Sequence, residues 1–552
     1  MNPQKMIIKT SYFLLSATLT LLAGCGDSAD TAIPDAPDSI TPSISPTSID
    51  SSTDEKKLKF SPTSASDYVS FESGQVRPLA MSADGRQLYA VNTPDNHLEI
   101  FTITDTSLIH KHSVPVGMDP VAVNVADDGS VWVVNHLSDS VSVINANAPE
   151  PFVEQTLQVG DEPRDIVFAG TNGNHNAFIS TAHRGQNSPW GPDVMPGDPG
   201  QSLQPGTGRA DVWVFDAHQP GTPSVHTFFT DTPRALAVSP DKTRVYVAGF
   251  HTGNQTTVVH DAAVCDGGSS AASCTPGSGP LAPGGLPAPN SDINGNSAPE
   301  VGLIVKYNGS QWVDEENRNW SNQVNFNLPD SDVFQFNANS LTIENDFRHV
   351  GTILYNMAIN PASGKLYVSN TEANNLTRFE GTRLSSSHTS VTGNLHKSRI
   401  TVINPGTPDS VEPRHLNKHI DYNIVPAPVD FKNRSLATPT AMVINQAGSE
   451  LFVAAFGSSK VGRFNIAELD NDSFTPTATS HISLSGGGPS GLALNEDKGQ
   501  LYVFTRFDNG ISVIDTNSSS EVRHYTLPNP EPQSIVEGRP FLYDANLTSS
   551  NG

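Results

Sequence analysis

The chain is poor in the residues on which most recognisable enzyme chemistry is built. Only three of its 552 residues are cysteine, charged side chains make up 16%, and Lys and Arg together number 32 against 57 acids. No CxxCH is present to attach haem covalently, and no Gx5GK[ST], HExxH or GxSxG supplies a phosphate loop, a zincin helix or a hydrolase elbow. A formal charge of −25 argues against nucleic acid, or an anionic membrane face, as the main partner. The apolar run Tyr12–Leu22 is too short for a spanning helix.

What is there instead is repetition. Seven times a polar or Pro lead-in opens an alternating apolar strand, a turn follows, and a second strand of apolar-aromatic-apolar form closes the phrase. The copies run from Pro78, Pro120, Pro163, Pro233, Asn356, Pro439 and Pro489, and their second strands include Leu88-Tyr89-Ala90-Val91-Asn92, Val131-Trp132-Val133-Val134-Asn135 and Leu501-Tyr502-Val503. A period of about 40 to 50 residues, all strand and turn, is the pattern of a β-propeller. The fold class expected is all-β: a seven-bladed β-propeller of four-stranded antiparallel blades over residues 67–536. Asp84-Gly85, Asp128-Gly129, Asp241-Lys242 and Gly448-Ser449 supply the turns between strands one and two. Ring closure is expected to need a sheet shared by the two chain ends. The tail, 537–552 with its lead-in from Pro532, looks like a partial eighth lead strand. It is either a closing strand or the start of what comes next.

Lys5 and Lys9 precede the apolar run, which ends in Leu22-Ala23-Gly24-Cys25, an export signal over residues 1–24. These four residues resemble the bacterial lipobox, which implies lipidation at Cys25, and Gly26 in place of Asp implies the outer membrane. The membrane would then be met through the lipid alone, from the periplasmic or surface side. Residues 25–66, rich in Ser, Thr, Pro and Asp, read as a flexible stalk.

Cys265 and Cys274 lie in a stretch with no strand pattern, and in an exported chain they are expected to pair. Long insertions, His183–Gly208, Thr252 to about Glu300, and Gly381–Lys397, interrupt the repeats. The first two follow a second strand and are expected to cover the upper face. Loops this long in a compact domain are more often functional than incidental. Asp292, Asn294 and Asn296 alternate around a glycine as calcium ligands do, but no Glu stands at the closing position of an EF-hand and an ordinary turn is the favoured reading.

Laid in register, the repeats bring His136, His183 and His251 to one rim, with Arg164 and Arg234 directly after their prolines, and with Arg184, Glu372 and Arg506. Imidazoles suit borderline metals, and guanidinium forks match carboxylate or phosphate. The competing reading makes the histidines struts to neighbouring loops and pairs Arg164 and Arg234 with Asp165 and other acids.

Leu88-Tyr89-Ala90-Val91-Asn92 and Leu366-Tyr367-Val368-Ser369-Asn370 resemble the YVTN repeat of bacterial and archaeal surface propellers. Thr181–Asn187, Gly208–Asp216 and Gly538–Ala545 are similar to stretches of exported proteins in which such a propeller precedes a c-type cytochrome region related to di-haem peroxidases. The resemblance implies a lipid-anchored binding or scaffold module associated with c-type cytochrome redox chemistry, the haem being held by a neighbouring domain or protein and not by these 552 residues. Related propellers also include lactonases and metal- or quinone-dependent dehydrogenases, for which the His/Arg/Glu rim would be the active site, and surface adhesion modules.

Overall fold

The computed structural model describes residues 72–182, 210–252, 255–268, 270–285, 303–314, 316–324, 331–373, 396–406, 409–421 and 428–547. Within them the alternation seen in the sequence becomes seven four-stranded antiparallel sheets and one smaller sheet of three strands. The first strand of each large sheet is innermost: Leu79–Met81, Pro120–Val125, Asp161–Ala169, Pro233–Val238, Ile353–Ile359, Pro439–Ile444 and Pro489–Asn495. Each of these lies beside the next, and the last lies beside the first, so the ring is complete. The prediction of an all-β propeller is met by this arrangement.

A separate apolar core fills each interval between neighbouring sheets. Tyr89, Val91 and Ile100 pack with Val123, Val131 and Val133 between the first two. Leu79, Leu88 and Phe101 pack with Tyr502, Phe504 and Ile511 between the seventh and the first. Burial of whole aromatic and branched side chains, worth about 1.5–3 kcal/mol each, is therefore distributed around the circle.

Closure differs from the expectation. The first and seventh sheets each consist of consecutive strands, and no sheet among the described residues is shared by the chain ends. The apolar interface does the joining, with Asn509 Nδ2 donating to Asn92 Oδ1 at 2.9 Å and Tyr525 accepting from the Leu108 amide at 3.0 Å. The tail is also not a lead strand: Gln533–Tyr543 is a helix, across the boundary expected at 536. It packs over the upper side of the sixth and seventh sheets, where Tyr543 meets Phe456 and Phe507.

Ahead of the first strand, residues 72–77 enter the upper end of the ring and fill its centre. Gln75 donates to Thr93 Oγ1 at 2.6 Å and accepts from Ser490 Oγ at 2.6 Å, bonding to the first and seventh sheets. Val76 accepts from Asn356 Nδ2 at 2.8 Å. Arg77 forms a fork on Asp165, both contacts at 3.0 Å, and the same carboxylate accepts the Leu236 and Ile166 amides. This segment separates an upper cavity of about 660 Å³ from a lower one of about 680 Å³.

One strand within the second insertion joins a sheet with two that follow its expected end near Glu300. Thr256–Val259, Leu303–Tyr307 and Trp312–Val313 form the three-stranded sheet, with its own core around Trp320. Trp320 Nε1 donates to Asp314 at 2.8 Å, and Arg318 pairs with the same carboxylate at 2.7 Å. Cys265 and Cys274 are disulfide-bonded with Cα atoms 5.8 Å apart, as expected.

Candidate functional site

Upper-face positions follow from the repeat. In four repeats the residue just after the opening proline, Arg164, Arg234, Thr440 or Ser490, stands at the same end of the ring as the residues that follow several second strands. In the repeat opened by Pro120 the second kind is His136, and in those opened by Pro233, Pro439 and Pro489 it is Phe250, Phe456 and Arg506. Together with Arg164, Arg234, Tyr355, Thr438, Thr440, Ser490 and Tyr543 they line the upper cavity, and Gly74 and Gln75 close it from within.

Two arginines flank one aromatic ring there. The Arg234 guanidinium lies 4.8 Å from the Phe250 centroid and that of Arg164 lies 6.0 Å away. Arg234 is buried, and its bonds go to backbone carbonyls, Nε to Tyr355 at 3.0 Å and Nη2 to Gln75 at 2.9 Å. Burial and the neighbouring Arg164 charge push its pKa down, yet a guanidinium stays protonated at neutral pH. Carbonyl dipoles offset part of that charge but do not neutralise it. Arg164 has Glu162 at 3.7 Å. Two guanidinium groups therefore stand beside one aromatic wall, with Glu162 near Arg164 as the acid on that side.

Arg506 is held differently. It pairs with buried Glu531 at 2.8 Å, which Arg539 also contacts, and Arg539 reaches on to Glu72 at 3.0 Å. Burial alone would raise the Glu531 pKa, but hydrogen bonds from Arg539 and Arg506 outweigh it and bring it down to about 2. The Arg506 Nε is buried without a hydrogen-bond partner among the described residues. Nearby Asp119 is pushed up to about 6 by burial, against the opposing pull of a Ser73 hydrogen bond, Arg506 and Arg164.

His136 is a strut. Its Nδ1 sits 3.1 Å from the Pro163 carbonyl, and Thr93, one repeat earlier, makes the same kind of bond to the Pro120 carbonyl at 2.7 Å. Burial, then the Arg164 charge, lowers its pKa to about 4. His251 is exposed, its ring tilted against that of Phe250 with centroids 4.3 Å apart, and is bridged to Ile353 outside the cavity lining. Glu372 is paired with Lys306 and Arg399, both at 3.1 Å, away from that lining. Of the three imidazoles expected at one rim, His136 and His251 are described, and of these two His136 lines the cavity and His251 does not. The acid expected to pair with Arg164 or Arg234, Asp165, is instead forked by Arg77.

His183 and Arg184, Asp292, Asn294 and Asn296, and Cys25 lie outside the described residues. Sequence reasoning missed Glu72, Phe250, Tyr355, Glu531 and Arg539. Phe250 was detectable, since it occupies the register position of His136.

Fold and cavity together define a β-propeller with an aromatic-walled upper mouth lined by Arg164, Arg234 and Arg506 and also by Glu72 and Glu162. No known family profile matches the chain, and no curated protein matches it. Among solved structures it is similar to Kuenenia stuttgartiensis hydrazine synthase, at 15% identity and a TM-score of 0.49, over 82% of this chain and 98% of that one. A functionally unknown protein from Desulfotomaculum acetoxidans is 13% identical with a TM-score of 0.44, over 79% and 94% respectively.

Proposed function

We propose that this protein is a binding module whose upper mouth takes a carboxylate-bearing organic ligand. The observation that supports the reading is buried Arg234 set beside Arg164 across Phe250, with its own hydrogen bonds spent on carbonyls rather than on an acid. A carboxylate entering there gains charge-assisted hydrogen bonds in a partly desolvated site, while Phe250, Tyr355 and Phe456 receive an apolar body. The Thr438 hydroxyl lies on the same wall, while Thr440 and Ser490 donate theirs to the Pro489 carbonyl and to Gln75 and so hold that wall in place.

The proposal extends to export, anchoring through lipidated Cys25 in the outer membrane, and association with a c-type cytochrome domain. Sequence resemblance is the main support for that part. Exposed Phe541, Leu542 and Leu547, in and just after the tail helix, offer an apolar surface for such a neighbour.

Thermal-shift screening of mono- and dicarboxylates, with matched neutral amides and inorganic phosphate, tests the reading. Carboxylates should raise the melting temperature, and the shift should shrink with salt and in Arg164→Gln. Equal shifts from the neutral amides would sink it.

A further inference from the structure

The turn between the first two strands of the second sheet departs from its counterparts at one position. Asp128 organises the turn, accepting the Ser130 amide at 2.8 Å and its hydroxyl at 2.7 Å. Asp84 and Asp241 do the same in their own turns, each accepting an amide at 3.1 Å. The residue ahead of that acid is Ala83 in one of these turns and Pro240 in the other, but here it is Asp127. Its carboxylate crosses to the third sheet.

There it meets two histidines. His175 Nδ1 lies 2.7 Å from one carboxylate oxygen and His218 Nε2 lies 2.7 Å from the other. Strand register puts the imidazoles side by side: Asn176 pairs with Asp216, and one step out the Ala217 amide donates to the His175 carbonyl at 2.6 Å. The rings stack with centroids 3.9 Å apart and planes 24° from parallel. One candidate ligand atom from each of the three side chains falls within 4.8 Å of the others. Asp128 and Asp216 add negative charge around His218.

We propose that Asp127, His175 and His218 form a binding site for a divalent transition-metal ion on the lower rim of the ring. Two imidazoles and one carboxylate suit Zn²⁺, Ni²⁺ or Cu²⁺, whereas Ca²⁺ and Mg²⁺ favour oxygen ligands. Tetrahedral zinc, with bonds of about 2.0–2.1 Å, sets its ligand atoms about 3.3 Å apart. The nitrogens must therefore withdraw from the carboxylate by about 0.6 Å. The side chains are 38%, 45% and 38% exposed for His175, Asp127 and His218, so rotation meets little packing. Neutral imidazoles need only shift tautomer, the proton moving to the nitrogen that faces away from the metal. The bound ion would clasp the second sheet to the third. A fourth position stays for water or for a donor from the lower cavity, whose wall includes Asp127 and His175.

Equilibrium dialysis of the tag-free, chelator-stripped full chain against Zn²⁺ at about pH 7.5 tests this. The expected result is one site unaffected by excess Mg²⁺, weakened at least about ten-fold in Asp127→Asn and in His218→Ala. Metal-free melting temperatures should match the parent, since both replaced side chains are exposed. Co²⁺ should give visible ligand-field bands in the parent that the variants lose. No stoichiometric zinc in the parent overturns the site, as does zinc held equally by both variants.

Discussion

The two ends of the ring are built from the same seven repeats and are chemically unlike. The lower cavity is framed by the turns between first and second strands, and much of its wall is aliphatic: Met81, Val125, Val167, Ile359, Met442 and Ile444. The upper one is framed by the residues that follow the opening prolines and the second strands, and it carries three arginines and several aromatic rings. At the lower end, positive φ at Gly85, Gly129 and Gly448, matched by Lys242, marks a turn geometry that constrains what can stand there. At the upper end the same register position holds Thr93, His136, Phe250, Phe456 or Arg506. The repeat fixes a backbone at both ends and leaves side-chain chemistry free mainly at one.

The sharpest way to break this separation is to unseat the segment between the cavities. Arg77→Ala leaves the Asp165 carboxylate buried with only amides to satisfy it, and should cost about 3–5 kcal/mol in denaturant unfolding. A cost under about 1 kcal/mol would mean that the segment does not hold the centre.

Next comes the charge network of the upper mouth. Glu531→Gln should destabilise by about 3 kcal/mol by leaving Arg506 and Arg539 facing each other. Because the folded pKa of Glu531 is depressed, its contribution is complete above about pH 4.5 and lost as pH falls towards about 2. Unfolding measured between these values should show a slope that the variant lacks.

His524, in the outer strand of the seventh sheet, gives the opposite sign. Burial lowers its pKa, but hydrogen bonds to Asp508 and Glu521 win and raise it to about 9. Its stabilisation is present below about pH 6.5 and disappears as pH rises through about 9, worth no more than about 3 kcal/mol. His524→Gln should flatten stability across that window.

The smallest effect is expected at His136. If it is a strut equivalent to Thr93, His136→Thr should change stability by less than about 1 kcal/mol and leave carboxylate binding intact. Its proton NMR titration should show a neutral ring down to about pH 4. A binding loss of ten-fold or more, about 1.4 kcal/mol, would return it to the site.

Much of the architecture was legible because period-two alternation and Asp/Gly turns are local signals. The strand phrases, their turns and the Cys265–Cys274 pair were read directly. The tail was not, since Gly538 and Pro540 are poor helix residues, and the helix is instead supported by Arg539 on Glu531 and Glu72 and by Tyr543 on Phe456. Closure was misjudged for a related reason. The apolar packing of Leu79 and Phe101 against Tyr502 and Phe504 joins residues more than 400 apart, and no local pattern records it. The site was half visible: register found Arg164, Arg234, Arg506 and His136, but not that His251 and Glu372 would face elsewhere.

Calorimetric titration of the best carboxylate from the screen into the parent chain, Arg164→Gln and Arg234→Lys is the most direct test of the upper mouth. The account predicts a single site, weakened at least about ten-fold in both variants and reduced further by salt, with the neutral amide silent. Unchanged affinity in both variants, or equal binding of the amide, would contradict it.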